Sequence, residues 1–117
     1  MTENFSLESH FSGKEPSVRK MYDRLLSALR EFGKVIEEPK KTSIHLVNVT
    51  AFAGVQTRET YILLNIKANH KIESPRIHKG EQISVRRFHH RVKISKLSEI
   101  DNELIGWLHE AYMMSGK

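Results

Sequence analysis

From Val85 to Ile94 the chain reads Val-Arg-Arg-Phe-His-His-Arg-Val-Lys-Ile, with four Arg/Lys, two of its seven histidines and no acid. Arginine can hold a carboxylate or phosphate through two parallel hydrogen bonds, and histidine exchanges a proton near neutral pH. This stretch is therefore where an anion-binding or proton-transfer site can be argued. On an extended strand, successive side chains point to opposite faces. Arg86, Phe88, His90, Val92 and Ile94 then share one face, and Val85, Arg87, His89, Arg91 and Lys93 share the other. The first set is apolar toward its end and is expected to meet the core, with His90 between Phe88 and Val92. A buried imidazole needs a hydrogen-bond partner and tends to a lowered pKa. Two readings of His90 stay open: a structural histidine, and one that transfers a proton or binds a ligand. The second set makes an exposed basic ladder, which suits solubility as well as anion attraction.

The wider charge pattern points to the same region. The 117-residue chain carries a formal charge of +5. Residues 65–95 hold eight Lys/Arg and two acids, a balance of +6, so the remainder is close to neutral. Such a patch attracts phosphates, carboxylates or nucleic acid. Nucleic acid is the weaker reading, because Phe88 points away from the ladder and no aromatic platform lines it.

Other chemistries find little support. The chain has no cysteine, which excludes disulfides, Cys-based zinc sites and thiol nucleophiles. His89 and His90 are adjacent and face opposite ways on a strand, so they cannot share a metal. There is no Gly-x-Ser-x-Gly, no Gly-rich phosphate loop and no paired carboxylates placed as acid and base. No metal, cofactor or catalytic residue is assigned. Lys41, just ahead of a strand, is a further candidate cation.

These residues must be positioned by a small set of elements. With 38% apolar and 28% charged residues, the composition is that of one globular domain over 1–117, with residues 1–5 loose. A polar, acidic N-terminus argues against a signal peptide. The longest apolar run, Tyr61–Leu64, is far too short to span a membrane, and a cytoplasmic location is expected. Ser12 through Glu15 has capping-box spacing. A helical stripe follows at Val18, Met21, Tyr22, Leu25, Leu26, Leu29 and Phe32, and Gly33 closes it. Strands are expected at 35–38, 42–48, 51–56 and 60–67, with an irregular polar segment at 68–80 and a long final strand or bent hairpin arm at 83–94. A second helix starts near Ser98 and buries Ile100, Leu104, Trp107, Leu108 and Ala111, with Gly106 allowing close packing on the sheet. The expected fold class is α+β: a mostly antiparallel four- to five-stranded sheet with two amphipathic helices on one face. The other face stays open.

Several of these pieces, in this order, resemble a bacterial family called domain of unknown function 5655. The carriers are Phe11-Ser-Gly-Lys-Glu-Pro16, Phe32-Gly33, Lys41-Thr-Ser-Ile44, Ala51-Phe52-Ala53, Arg76 and His90-Arg91-Val92-x-Ile94. The closing Ile100-Asp101-x-Glu-Leu104-x-x-Trp107-Leu108-x-x-Ala111-Tyr112 completes the set. The similarity runs from about Phe5 to Met114, with Phe88 standing where the family tends to have a larger aromatic. The resemblance implies a compact α+β domain, found alone or attached to larger proteins, and implies no established activity. It marks Lys41, Arg76, His90 and Arg91 as positions where polar residues recur.

The favoured expectation is a non-enzymatic module that binds an anionic ligand or an acidic partner surface through Lys41, Arg76, His90 and Arg91. One alternative is an enzyme using His90 as acid or base, with Arg76 or Arg91 stabilising charge. Another is a homodimer built on a free sheet edge or the open face.

Overall fold

The apolar stripe near the N-terminus forms helix α1, Pro16–Leu29, in a computed structural model that describes residues 6–116. The expectation that residues 1–5 are loose falls outside the described residues. Val18, Met21, Tyr22, Leu25, Leu26 and Leu29 are all buried along one side of α1. Pro16 takes the first helical position, where its missing N–H costs nothing. The expected capping box does not form: Glu15 is the cap residue and its side chain makes no capping bond. Its backbone N–H instead donates to the Glu59 carbonyl at 2.9 Å, tying the helix start to a distant turn.

Six strands follow: β1 (Ile36–Pro39), β2 (Ile44–Val47), β3 (Ala51–Thr57), β4 (Ile62–Ala68), β5 (Ile77–Ser84) and β6 (Arg87–Ile94). They form one sheet in the order β1-β2-β3-β4-β6-β5, every neighbouring pair antiparallel. The expected stretch 83–94 is broken by a turn at Val85 and Arg86, which therefore lie on no strand face, and β5 begins inside the segment 68–80 expected to be irregular. β5 is exposed almost throughout and so lacks the apolar alternation that marks a half-buried strand. Helix α2, Asn102–Ser115, closes the chain. It is capped by Asp101, whose carboxylate accepts from the Leu104 N–H at 3.1 Å, and not by Ser98. Residues Leu97–Glu99 form a single 3-10 turn ahead of it.

Both helices pack on the same face of the sheet. The core beneath them joins the α1 stripe to Ile44, Leu46, Val55, Ile62, Leu64, Ile66, Val92 and Ile94 from the strands and Leu104, Leu108 and Ala111 from α2. Phe52 meets Tyr112 edge to face at 5.3 Å between ring centres. Tyr112 also donates from its hydroxyl to the Lys34 carbonyl at 3.0 Å, across the backbone of Gly33. A Cβ at Gly33 would lie 2.7 Å from that hydroxyl, and its φ of +146° disfavours any other residue.

Gly106 departs from the expectation of a packing role. It is on the exposed side of α2, and a Cβ built there meets nothing within 4 Å. Its backbone freedom is a cost without a compensating contact. Gly106→Ala is therefore expected to stabilise the fold by about 0.5–1 kcal/mol, read as an upward shift of the urea midpoint with an unchanged m-value.

Candidate functional site

The registers of the five strand pairs line up one continuous polar rung across the open face. Glu38 pairs with His45, His45 with Gly54, Gly54 with Asn65, Asn65 with Arg91, and Arg91 with Lys79. The adjacent rung, Ile44, Val55, Leu64 and Val92, is fully or almost fully buried under the helices. Alternation along each strand thus places the polar rung on the side away from the core. A neighbouring rung, Lys67, His89 and Glu81, extends the same face.

Two shallow depressions meet on this surface. One, about 110 Å³, is lined by Ser43, His45, Gly54, Gln56, Leu63, Asn65 and Arg91. The other, about 120 Å³, is lined by Asn65, Lys79, Glu81, His89 and Arg91. Asn65 and Arg91 stand on the shared border, and Gly54 leaves the floor between His45 and Asn65 open. Among the described residues, no side-chain hydrogen bond engages His45, Asn65, His89 or Arg91. The His89 Nε2 is sealed from solvent and has no partner.

Some cations are paired within the protein, and others, Arg24 on α1 included, have no ion-pair partner among the described residues. On the helix side, Arg19 binds Glu8 and Asp23, Arg30 binds Glu37, and Arg76 binds Asp101 and Glu103. On the open face, Lys67, Lys79, Arg87 and Arg91 have no carboxylate in ion-pair reach among the described residues. Lys93 rests over the Tyr61 ring at 4.5 Å. Burial and nearby cations together depress the basic groups of this face. Burial, then Lys40 and Lys67, push the His45 imidazole below its usual range. Burial and Lys67 do the same to His89, with Glu81 pulling weakly upward. Lys67 is itself lowered by burial and by Arg87.

The four residues expected to bind ligand sit apart. Arg91 lies on the polar rung. His90, one residue earlier on β6, faces the core and is 1% exposed. Its Nε2 accepts from the Ile72 N–H at 2.9 Å, which puts the ring proton on Nδ1. That proton faces the Ile66 carbonyl without reaching hydrogen-bond geometry. Burial lowers the His90 pKa, and protonating Nε2 would break the Ile72 contact. Arg76 is spent within the protein: its guanidinium reaches Asp101 at 2.8 Å, Glu103 at 3.2 Å and the Glu99 carbonyl at 2.6 Å, and it lies over the Trp107 ring. It clamps the start of α2 to the segment ahead of β5. Lys41 is exposed in the bend between β1 and β2. Reading the strands one at a time missed His45, Gln56 and Asn65. Their signal was the polar residue at alternate positions in β2, β3 and β4, which gains meaning only once the registers stack them.

Among the described residues, no group of three or more His, Asp or Glu could hold a metal ion. No helix is long and apolar enough to cross a membrane.

Fold and face together define a small α+β domain with a helix-covered antiparallel sheet and an open, cation-bearing surface. The chain belongs to the family described as a domain of unknown function, DUF5655, whose model matches residues 7–115. A search of curated proteins finds no match, and neither does a search of solved structures.

The environment of His90 carries a stability prediction. His90→Leu removes the acceptor of the buried Ile72 N–H and is expected to cost about 1–3 kcal/mol in urea unfolding. Because folding lowers the His90 pKa, the unfolded chain takes up the proton first. Wild-type stability is therefore full above the free imidazole value of about 6.5 and falls as the pH drops below it. The His90→Leu variant should lose stability less steeply over that range.

Proposed function

We propose that the domain is a non-enzymatic binding module whose open sheet face holds an anionic group through Arg91, with Asn65, His45 and Gln56 around it. The observation that carries this reading is the pair of adjoining depressions that share Asn65 and Arg91, with Arg91 half-buried and free of any ion pair among the described residues. An arginine fixed on a strand, half-buried and without a carboxylate, is arranged to receive one from outside. Asn65 opposite it offers both donor and acceptor, and His89 lines the adjoining depression. The depressions have room for one carboxylate or phosphate group, presented by a small molecule or by an acidic partner surface. Burial and neighbouring cations keep His45 and His89 neutral near pH 7. Protonation of either adds positive charge to the face, so anion binding should tighten as the pH falls below about 6.5.

Titration with inorganic phosphate and with a short dicarboxylate at low salt, followed by amide and side-chain NMR, tests this. Shifts are expected at Asn65, His89 and Arg91, weakening as salt rises. Arg91→Ala should reduce affinity by about tenfold or more, the usual cost of a lost charge-assisted hydrogen bond. Absence of binding at low salt, or full affinity in Arg91→Ala, would remove the reading.

A further inference from the structure

Strand β5 is the long, unprotected edge of the sheet. All of its residues but Ile77 are exposed, and it is hydrogen-bonded to β6 on one side only. An edge strand presents unpaired N–H and C=O groups that can accept another strand. The opposite edge is blunted. β1 has four residues and ends in Pro39, and its Glu37 is held by Tyr22 and Arg30. No proline interrupts β5. Between two bulges, its segment Lys79-Gly80-Glu81-Gln82 pairs regularly with Arg91, His90, His89 and Phe88 of β6. Lys79 and Glu81 point to the open face, and neither has an ion-pair partner among the described residues.

We propose that β5 pairs antiparallel with β5 of a second copy of this chain, about a two-fold axis through Gly80, joining the two sheets into one. The argument is the self-complementarity of the strand. A two-fold axis at Gly80 sets Lys79 opposite the partner's Glu81 and, by symmetry, Glu81 opposite the partner's Lys79. Opposite charges directly across an antiparallel pair stabilise it, and like charges destabilise it. Moving the axis by one residue, to Lys79 or to Glu81, would set that charge against its own copy. At Gly80 the axis meets a residue with no side chain to oppose itself. The interface is isologous, and the same patch serves both copies. The bulges at either end of the segment limit how far the pairing runs, so a reversible dimer follows rather than a fibre. Lys79 and Glu81 also line the depression beside Arg91, but association is read without any added anion, so its failure and the failure of the anion reading are distinguishable.

Sedimentation of the full chain over a range of concentrations tests the pairing, with Lys79→Glu, Glu81→Lys and the double reversal Lys79→Glu/Glu81→Lys alongside wild type. Wild type should form a reversible dimer. Each single reversal places like charges opposite each other twice and should weaken association by about tenfold. The double reversal should restore it. A wild type that stays monomeric at the highest concentration overturns the proposal. So does a dimer unaffected by the single reversals, or a double reversal that fails to recover. Should a charge reversal unfold the chain, the absence of native cysteine allows a second measurement. Mixing equal amounts of Lys79→Cys and Glu81→Cys under mild oxidation should give a disulfide-linked heterodimer well beyond the 1:2:1 proportion of chance pairing, and a 1:2:1 distribution or an excess of either homodimer counts against the register.

Discussion

The buried rung Ile44–Val55–Leu64–Val92 sets the position of nearly everything else. These residues come from four different strands and meet side by side beneath the helices. Because strand side chains alternate, a slip of one residue in any pair would turn that strand's apolar set toward water. Burial of the rung therefore locks the registers of β2, β3, β4 and β6 together. The polar rung beside it, His45–Gly54–Asn65–Arg91, is the geometric consequence of that lock. No separate interaction is needed to assemble it. The surface group and the core are aligned by the same constraint.

The same chemistry serves opposite ends on the two faces. Arg76 is surrounded by two carboxylates, a backbone carbonyl and an indole ring, so its charge is used to hold the start of α2. Asp101 takes part twice, accepting from Leu104 as a helix cap and from Arg76 as an ion pair; both contacts hold its carboxyl below the usual range. Arg91 has the same side chain and none of these partners. Likewise His90 and His89 are adjacent in sequence but differ in fate. One is a neutral acceptor for a buried amide, and the other lies on the cation-rich surface with a sealed nitrogen. Residue type alone does not separate these roles; the direction of the side chain does.

That distinction explains what was legible in the sequence. Both helices could be read directly, because Val18 to Leu29 and Leu104 to Ala111 repeat at helical spacing over several turns. The core placement of His90 was equally readable from Phe88 and Val92 on either side of it. Strand β5 was not, since a strand with little buried surface carries no alternating pattern. Nor was the engagement of Arg76, whose partners are 25 and 27 residues further along the chain. Ser98 and Asp101 both suit a helix cap by type, and only the 3-10 turn at Leu97–Glu99 decides between them. The polar rung lay between these extremes: each of its residues was visible, and their alignment was not, because register is a property of pairs of strands.

Tyr112 illustrates how the domain is closed. Its hydroxyl reaches back to Lys34, 78 residues earlier, its carbonyl accepts from the Asn48 side chain, and its ring touches Phe52 and Phe32. One residue in the last helix thus fastens the exit of α1 and the loop ahead of β3. Those contacts span 64 and 78 residues of chain, and contacts of such long sequence separation are the kind that slow folding, since loop closure must be met before they form.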